Sequence, residues 1–129
     1  MFNFFQNLFK ASLTLSYSPP DPNGIPPDYG NLDAFLRGKK VGSATFWAAN
    51  GQVFNLDRID VFNEARGKGY GTKMLQHLIH EARELKCTKF VFQGVDNSNM
   101  RAISLYQRLG AQRGASRGTT KHDYEITPL

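Results

Sequence analysis

The most constraining feature of the chain is a glycine-rich segment, Val61 to Thr72, at which the hydrophobic pattern changes period. Residues 52–62 before it carry closely spaced apolar side chains, which predict a strand buried on both faces. Residues 69–86 after it place apolar side chains at helical spacing. Three alternate glycines let a backbone approach a ligand, and a helix start adds unpaired N–H groups and a positive dipole end. We therefore expect a diphosphate or a similar anion at this turn.

The two most common phosphate-binding motifs do not fit this segment. A Walker loop counted from Gly67 needs glycine at the position of Thr72, and the third glycine comes one residue early for a dinucleotide fingerprint. Residues 85–92 also lack the acidic residue that the fingerprint requires. A tight turn without a ligand is the structural alternative, although such a turn needs only one glycine.

The remaining patterns predict a single domain over residues 1–129 with an α+β fold and a mixed sheet. A strand–helix–strand unit in the middle implies one parallel pair in an otherwise antiparallel sheet. The predicted strands are 11–18, 32–37, 41–49, 52–62, 89–94, 111–117 and 122–127, with an Asn50-Gly51 hairpin and helices at 69–86 and 98–109.

Residues 1–31 are unlike the rest of the chain. Four apolar side chains near the start share one face of a helix, which predicts a short helix docked on the core; a dimer contact or a frayed terminus is the alternative. They are Phe2, Phe5, Leu8 and Phe9. Residues 19–31 contain five of the six prolines, which predicts a loop rather than a helix or central strand.

Composition narrows the function classes. The chain is 40% hydrophobic and 21% charged and has no apolar run of about 20 residues, which argues against a disordered tail and a membrane span. Its single cysteine, Cys87, forms no internal disulfide and favours a cytoplasmic protein. The net charge of +5 favours anionic partners, which include phosphorylated cofactors, nucleic acid and acidic protein surfaces. His77 and His80 lack further ligands, so no metal site is predicted.

Two motifs together resemble the GCN5-related N-acetyltransferase (GNAT) family. The first is Arg66-x-x-Gly69-x-Gly71 after the strand, and the second is Asn99-x-x-Ala-x-x-x-Tyr106 followed by Gly110. They occur in the family's order, separated by one helix and one strand. The resemblance covers residues 38–127 well and 1–31 poorly, and Ala111 replaces the aromatic residue that usually follows the glycine.

The resemblance implies a GNAT-like acyl-CoA N-acyltransferase fold that binds acetyl-CoA. Backbone amides of residues 66–72 would hold the pyrophosphate, and residues 60–62 of a bulged strand would bind the pantetheine arm. The N–H near Val61 would face the thioester oxygen. The cofactor-binding residues implied in this way are Val61, Phe62, Arg66, Gly67, Lys68, Gly69, Tyr70, Gly71, Thr72 and Asn99.

The same resemblance makes Tyr106 the general acid that protonates the departing thiolate. A core tyrosine on an apolar helix face is the alternative. Asn99 is also a candidate helix cap, a role compatible with contacting the cofactor.

The general base is less well defined. Asn55 stands where histone-type members carry glutamate, and Asp57, two residues further, is the candidate replacement on the same face. Asp60, expected on the other face, is the second choice. Pairing of Asp57 with Arg58 or another cation is the structural alternative, and an ordered water can also deprotonate the amine.

The predicted function is therefore acetyl transfer from acetyl-CoA to a primary amine, by direct attack in a ternary complex. The acceptor stays open between small amines, lysine side chains, protein N-termini and aminoacyl groups. A catalytically inactive module that binds nucleic acid or protein is the alternative, suggested by five basic residues and no acid over 100–122.

The acceptor side is predicted to be reduced. The family usually places two helices between its first two strands, where this chain has residues 19–31. A more open groove would suit a macromolecular substrate or completion by a partner subunit. His122 and Asp123, before the last strand, are candidates for substrate contact.

Overall fold

The computed structural model describes residues 12–49 and 52–129. Within them, seven strands form one sheet in the order β1-β2-β3-β4-β5-β7-β6, with two α-helices and one 3-10 turn, Asn63–Ala65. The strands are β1 (Leu13–Asp21), β2 (Tyr29–Leu36), β3 (Lys39–Ala49), β4 (Val53–Val61), β5 (Lys89–Asp96), β6 (Gln112–Arg117) and β7 (Lys121–Ile126); the helices are α1 (Tyr70–Glu84) and α2 (Met100–Arg108).

The expected α+β fold with a mixed sheet is confirmed. β4 and β5 form a parallel pair, and the other pairs of neighbouring strands in the described sheet are antiparallel. The Phe-rich start of the chain, with its helix and dimer predictions, and the Asn50-Gly51 hairpin lie outside the described residues.

The predicted proline-rich loop, 19–31, is too long at both ends. β1 continues through Pro19 and Pro20 to Asp21, and β2 begins at Tyr29. β1 is an edge strand whose register with β2 is irregular beyond Ser18, and an edge tolerates prolines that donate no hydrogen bond. Only residues 22–28 connect the two strands. They contain no helix, which agrees with the predicted reduction of this region.

Both described helices pack on the same face of the sheet. A Cβ added to Gly42 on β3 would lie 3.0 Å from the Met74 sulfur of α1, and Tyr106 of α2 stacks on Phe92 of β5 with ring centroids 4.0 Å apart. The opposite face mixes polar and apolar side chains in its middle strands, where Asn55 lies between Trp47 of β3 and Val91 of β5. β4 is therefore buried on both faces only in its first half, because Asp57 and Arg58 are exposed.

An aromatic row crosses the helix-covered face. Successive ring centroids lie 4.0 to 5.7 Å apart. All but the closest pair, Phe92 and Tyr106, fall within the range of about 4.5 to 7 Å that is typical of aromatic pairs. The row consists of Tyr17, Phe46, Phe54, Phe90, Phe92 and Tyr106. It joins the edge strand β1 to α2 and so fixes the ring of Tyr106 against the core.

Two further features relate to the predictions about membrane helices and the single cysteine. Among residues 12–49 and 52–129, no helix has the length and apolar character needed to span a bilayer. Cys87 is buried, and burial raises the pKa of its thiol, which leaves it a poor nucleophile.

Candidate active site

A cleft opens where β4 and β5 part. The two strands are paired from Val53↔Lys89 to Leu56↔Phe92, and their described pairing ends there. Both strands are irregular at the next residues. Asp57 is an extra residue of β4 against β3, and the register of β5 with β7 shifts between Phe92 and Val95. Because a bulge bends its strand, the two adjacent bulges account for the separation.

The backbone of β4 turns peptide groups into this cleft. The N–H of Phe62 donates to the carbonyl of Val41 in β3 at 2.8 Å. Successive peptide groups of a strand point to opposite sides, so the N–H of Val61 points away from β3 and toward the cleft. The amide predicted to face a thioester oxygen therefore has the required direction, whereas the amide of Phe62 is used within the sheet.

The glycine-rich segment lies at the end of the cleft where β4 leads into α1. Gly67 and Gly69 have φ of 78° and 81°, a left-handed conformation that disfavours other residues. Gly69 is the N-cap of α1 and brings no side-chain cap to the helix, so the first N–H groups of α1 are available to an anion.

A cavity of about 550 Å³ lies against this segment and α2. Eight of the ten predicted cofactor residues line it: Val61, Arg66, Gly67, Gly69, Tyr70, Gly71, Thr72 and Asn99. Phe62 and Lys68 are exposed and are not among its lining residues.

The Arg66 side chain turns back toward β4. Its Nε donates to the Val61 carbonyl at 2.7 Å, and its Nη2 lies 3.3 Å from Asp60 Oδ1. The side chain thus ties the loop to the strand. Positive charge at the cavity also comes from Arg101 and Arg108, which sequence reasoning treated only as part of a basic stretch. Their seven-residue spacing, which places them on one helix face, could have identified them.

A second cavity of about 340 Å³ lies between the separated strands. Its wall includes Asp57 of β4 and residues 93–96 of β5. Asn99, Ala102 and Tyr106 line both cavities, so the two are adjacent across α2.

Tyr106 lies at the junction of the two cavities. Its side chain is 8% exposed and stacked on Phe92, and burial raises its pKa above the ordinary value. The phenol therefore stays protonated at neutral pH and can give up a proton to a stronger base. Asn99 caps α2, since its Oδ1 accepts the N–H of Ala102 at 3.2 Å, and it lines both cavities as well.

Of the base candidates, Asp57 is the one that lines the second cavity. Its Oδ2 lies 3.4 Å from Thr45 Oγ1, and none of the ion pairs found among the described residues joins it to Arg58. Asn55 is 6% exposed, and its amide lies 3.4 Å from the carbonyl of Val53 and 3.5 Å from the amide of Gln93, within the paired part of the sheet.

The expectation that Asp60 points to the other face is wrong. Asp60 pairs with Ser43, whereas Asn55 pairs with Trp47, and these two partners lie on one face of β3. The bulge at Asp57 shifts the alternation of β4 by one residue, which sequence counting did not include.

Asp123 is not available for substrate contact. It is 2% exposed, and its carboxylate accepts hydrogen bonds from Arg117 and from the Gly94 N–H. Burial alone would raise the pKa of Asp123, but these hydrogen bonds lower it overall. The neighbouring His122 lies 2.8 Å from Asn97 through its Nδ1.

The helix histidines each lie near a carboxylate one turn away. His77 is 3.7 Å from Glu81, and His80 is 3.7 Å from Glu84. In the part of the chain that the structure describes, no group of His, Cys, Asp or Glu side chains could hold a metal ion.

A mixed seven-stranded sheet, whose parallel strands part beside a glycine-rich turn and a helix N-terminus, is characteristic of the acyl-CoA N-acyltransferase fold. The profile of the Acetyltransferase (GNAT) family matches residues 4–111, and the chain belongs to this family.

Relatives and solved structures support this assignment. Spermine/spermidine N(1)-acetyltransferase of Bacillus subtilis (strain 168) is 43% identical over 63 residues, which are 49% of this chain and 41% of that protein. This chain thus spans less than half the length of the curated relative it matches.

Several similar solved structures contain acetyl-CoA or CoA. One is a GNAT family acetyltransferase from Elizabethkingia anophelis with acetyl-CoA bound (TM-score 0.72, 15% identity, 92% of this chain and 99% of that one). Another is a Bacillus subtilis acetyltransferase in complex with CoA (TM-score 0.72, 17% identity, 93% and 100%). At these identities the similarity establishes the fold.

Proposed function

We propose that the chain is an acetyl-CoA-dependent N-acetyltransferase that acts on a primary amine by direct attack in a ternary complex. The observation that carries this proposal is the position of Tyr106, a buried phenol between two cavities that meet where β4 and β5 part. One cavity would hold the acyl donor, and the other would receive the amine.

The larger cavity suits acetyl-CoA. The open start of α1 and the loop glycines offer backbone N–H groups to a diphosphate, and Arg101 and Arg108 add positive charge. Ile59, Leu75 and Leu105 supply apolar contacts for the arm that leads to the thioester. Acetyl-CoA supplies an activated acyl group with a thiolate leaving group.

Groups of the chain would then stabilise the charge on the thioester oxygen, protonate the thiolate and take a proton from the amine. The N–H of Val61 stabilises the negative charge that develops on the thioester oxygen, a kind of interaction typically worth about 3 kcal/mol. The amine nitrogen forms a bond to the acyl carbon while the carbon–sulfur bond breaks. Tyr106 donates its proton to the thiolate, and the amine gives up a proton to Asp57 or to water held there.

The acceptor class that we favour is a small aliphatic polyamine. A relative with 43% identity over 63 residues is named for spermine and spermidine, and the second cavity places Asp57 and Asp96 on two of its walls. Because Arg58 and Lys121 line the same cavity, its lining has no excess of negative charge, and the choice of a polyamine depends mainly on the relative. A lysine side chain presented by a protein is the other acceptor to assay, because the short connection 22–28 adds no helix beside the cleft.

The basic stretch does not require a nucleic-acid partner. Arg101 and Arg108 face the larger cavity, Lys121 lines the smaller one, and Arg117 pairs with Asp123. Four of its five basic residues therefore line a proposed substrate cavity or form an ion pair within the fold.

Two measurements test the proposal. Calorimetric titration with acetyl-CoA should show binding within the range of about 1 μM to 1 mM that is usual for enzyme substrates. Release of free thiol should then be followed over a panel of polyamines, monoamines and lysine peptides. Absence of binding would contradict the enzyme proposal, and binding without thiol release across the panel would favour an inactive binding module.

A further inference from the structure

A buried carboxylate holds the bulge of β5. Phe92 pairs with Tyr124 and Val95 pairs with His122, so two residues of β5, Gln93 and Gly94, lie opposite Asp123 alone. Gly94 has φ of 59°, in the left-handed region, and its N–H donates to Asp123 Oδ1 at 2.9 Å. The side chain of β7 thus provides an acceptor for an amide that the bulge removes from the regular ladder.

The two oxygens of this carboxylate have separate partners. Oδ2 accepts from Arg117 Nε at 3.0 Å and from Arg117 Nη2 at 2.6 Å, whereas Oδ1 accepts from Gly94. Asp123 is 2% exposed, and a buried charge is costly without such partners. Replacing a buried ion pair by apolar groups is often neutral for stability, so the pair need not be there to stabilise the fold.

The bulge forms the β5 wall of the smaller cavity. Gln93, Gly94 and Val95 line that cavity opposite Asp57, the bulged residue of β4. A regular register of β5 against β7 would move each later residue by one position and turn its side chain to the other face. The shape of the acceptor side therefore depends on the bulge.

We propose that Asp123 is a positioning residue for the amine acceptor, which it controls by holding the Gly94 amide and hence the β5 wall of the smaller cavity. Arg117 neutralises the carboxylate and does not touch the wall. This inference rests on the proposed acetyltransferase function, and it assigns a role to a residue that touches neither substrate.

The test separates the Gly94 hydrogen bond from the ion pair. Asp123→Leu removes both, and the exposed Arg117 side chain stays in solvent. The double variant Asp123→Asn with Arg117→Met removes the ion pair but keeps a side-chain oxygen for the Gly94 N–H. Glu125→Gln is the matched control for loss of a β7 carboxylate. Glu125 lies two residues after Asp123 in β7 and forms an ion pair with Lys89.

We expect Asp123→Leu to raise KM for the best amine about tenfold or more, since small displacements of a positioning wall have effects of this size. The Kd for acetyl-CoA should stay within about twofold. Hydrogen exchange of the Gly94 amide, followed by NMR, should accelerate in the same variant. The double variant and Glu125→Gln should keep the wild-type KM and Gly94 protection.

Two results would overturn the inference. One is an unchanged amine KM in Asp123→Leu, and the other is an equal rise in the double variant. If Asp123→Leu does not fold, Asp123→Ala provides the same test, because it also leaves the Gly94 N–H without its side-chain acceptor. An unchanged amine KM in that variant would equally overturn the inference. A wild-type protein without turnover on any amine would refute the proposed function instead, a result distinct from both.

Discussion

The two sides of the cleft are built in different ways. The cofactor side is formed mainly by one continuous stretch, from Ile59 through the glycine turn to Leu75, completed by α2. The acceptor side is assembled from β4, β5 and Lys121 of β7, and its shape depends on two register shifts. A local motif therefore specifies the first side, whereas long-range strand pairing specifies the second. Substitutions on the two sides should separate acetyl-CoA binding from amine recognition.

The largest effect is expected on the cofactor side, from Gly69→Val. A φ of 81° costs a β-branched residue more than the 1–2 kcal/mol typical of L-residues, and the added side chain would fill space in front of the first amides of α1. We expect the Kd for acetyl-CoA to rise about a hundredfold or more. Calorimetric titration measures this, with circular dichroism as the check that the fold survives. A folded variant that binds as tightly as the wild type would refute the role of the loop.

The same contrast explains which parts of the molecule the sequence predicts. The closely spaced apolar residues of 52–62, the glycines and the 69–86 helix pattern are local signals, and the structure contains the corresponding strand, turn and helix. The bulge at Asp57 has no local signal, because it arises from the pairing of β4 with β3. Counting by twos therefore placed Asp60 on the incorrect face.

The edge strand β1 and the Asp123–Arg117 ion pair are two further features that only the strand pairing of the fold reveals. Prolines at 19 and 20 predict a loop, but an edge strand accommodates them because one side of it needs no partner. Likewise, the position of Asp123 near the start of the last predicted strand suggested substrate contact, and only the fold shows that Arg117 and Gly94 donate hydrogen bonds to its carboxylate.

The next effect concerns the junction between the two sides. Tyr106→Phe removes the proposed acid but keeps the ring that stacks on Phe92. We expect kcat to fall about a hundredfold, within the usual range for a general acid, while the Kd for acetyl-CoA and the amine KM change little. Steady-state kinetics with titration of acetyl-CoA would separate these quantities, and an unchanged kcat would exclude Tyr106 as the acid.

The pH profile gives a second measurement on Tyr106. The acid acts in its protonated form, so activity is lost as pH rises through its pKa. Because burial raises that pKa above the usual value of about 10 for a phenol, the alkaline loss due to Tyr106 should begin only above that pH. An earlier loss that disappears in Tyr106→Phe would contradict this protonation state.

A smaller effect is expected on the acceptor side from Asp57→Asn. The amide keeps the size of the side chain and its contact with Thr45 but cannot take a proton. We expect kcat/KM for the amine to fall about tenfold, less than the usual loss of a general base, because water at the same position can still accept the proton. Asp60→Asn, which alters the carboxylate paired with Arg66, is the comparison variant. An equal or larger loss there would favour Asp60 as the base.

The smallest effect, expected from Gly71→Ala, has opposite signs for stability and for binding. Gly71 lies in the first turn of α1, and an added Cβ would make ordinary contact with Val61 at 3.6 Å. Alanine should stabilise the helix by up to about 1 kcal/mol and raise Tm by a few degrees. The same methyl would project into the cavity that Gly71 lines, so the Kd for acetyl-CoA should rise about fivefold. Calorimetric titration and thermal unfolding of one sample measure both quantities. A rise in Tm without weaker binding would mean that acetyl-CoA does not approach the backbone at this residue, and the proposed seat of the diphosphate would have to move toward Gly67.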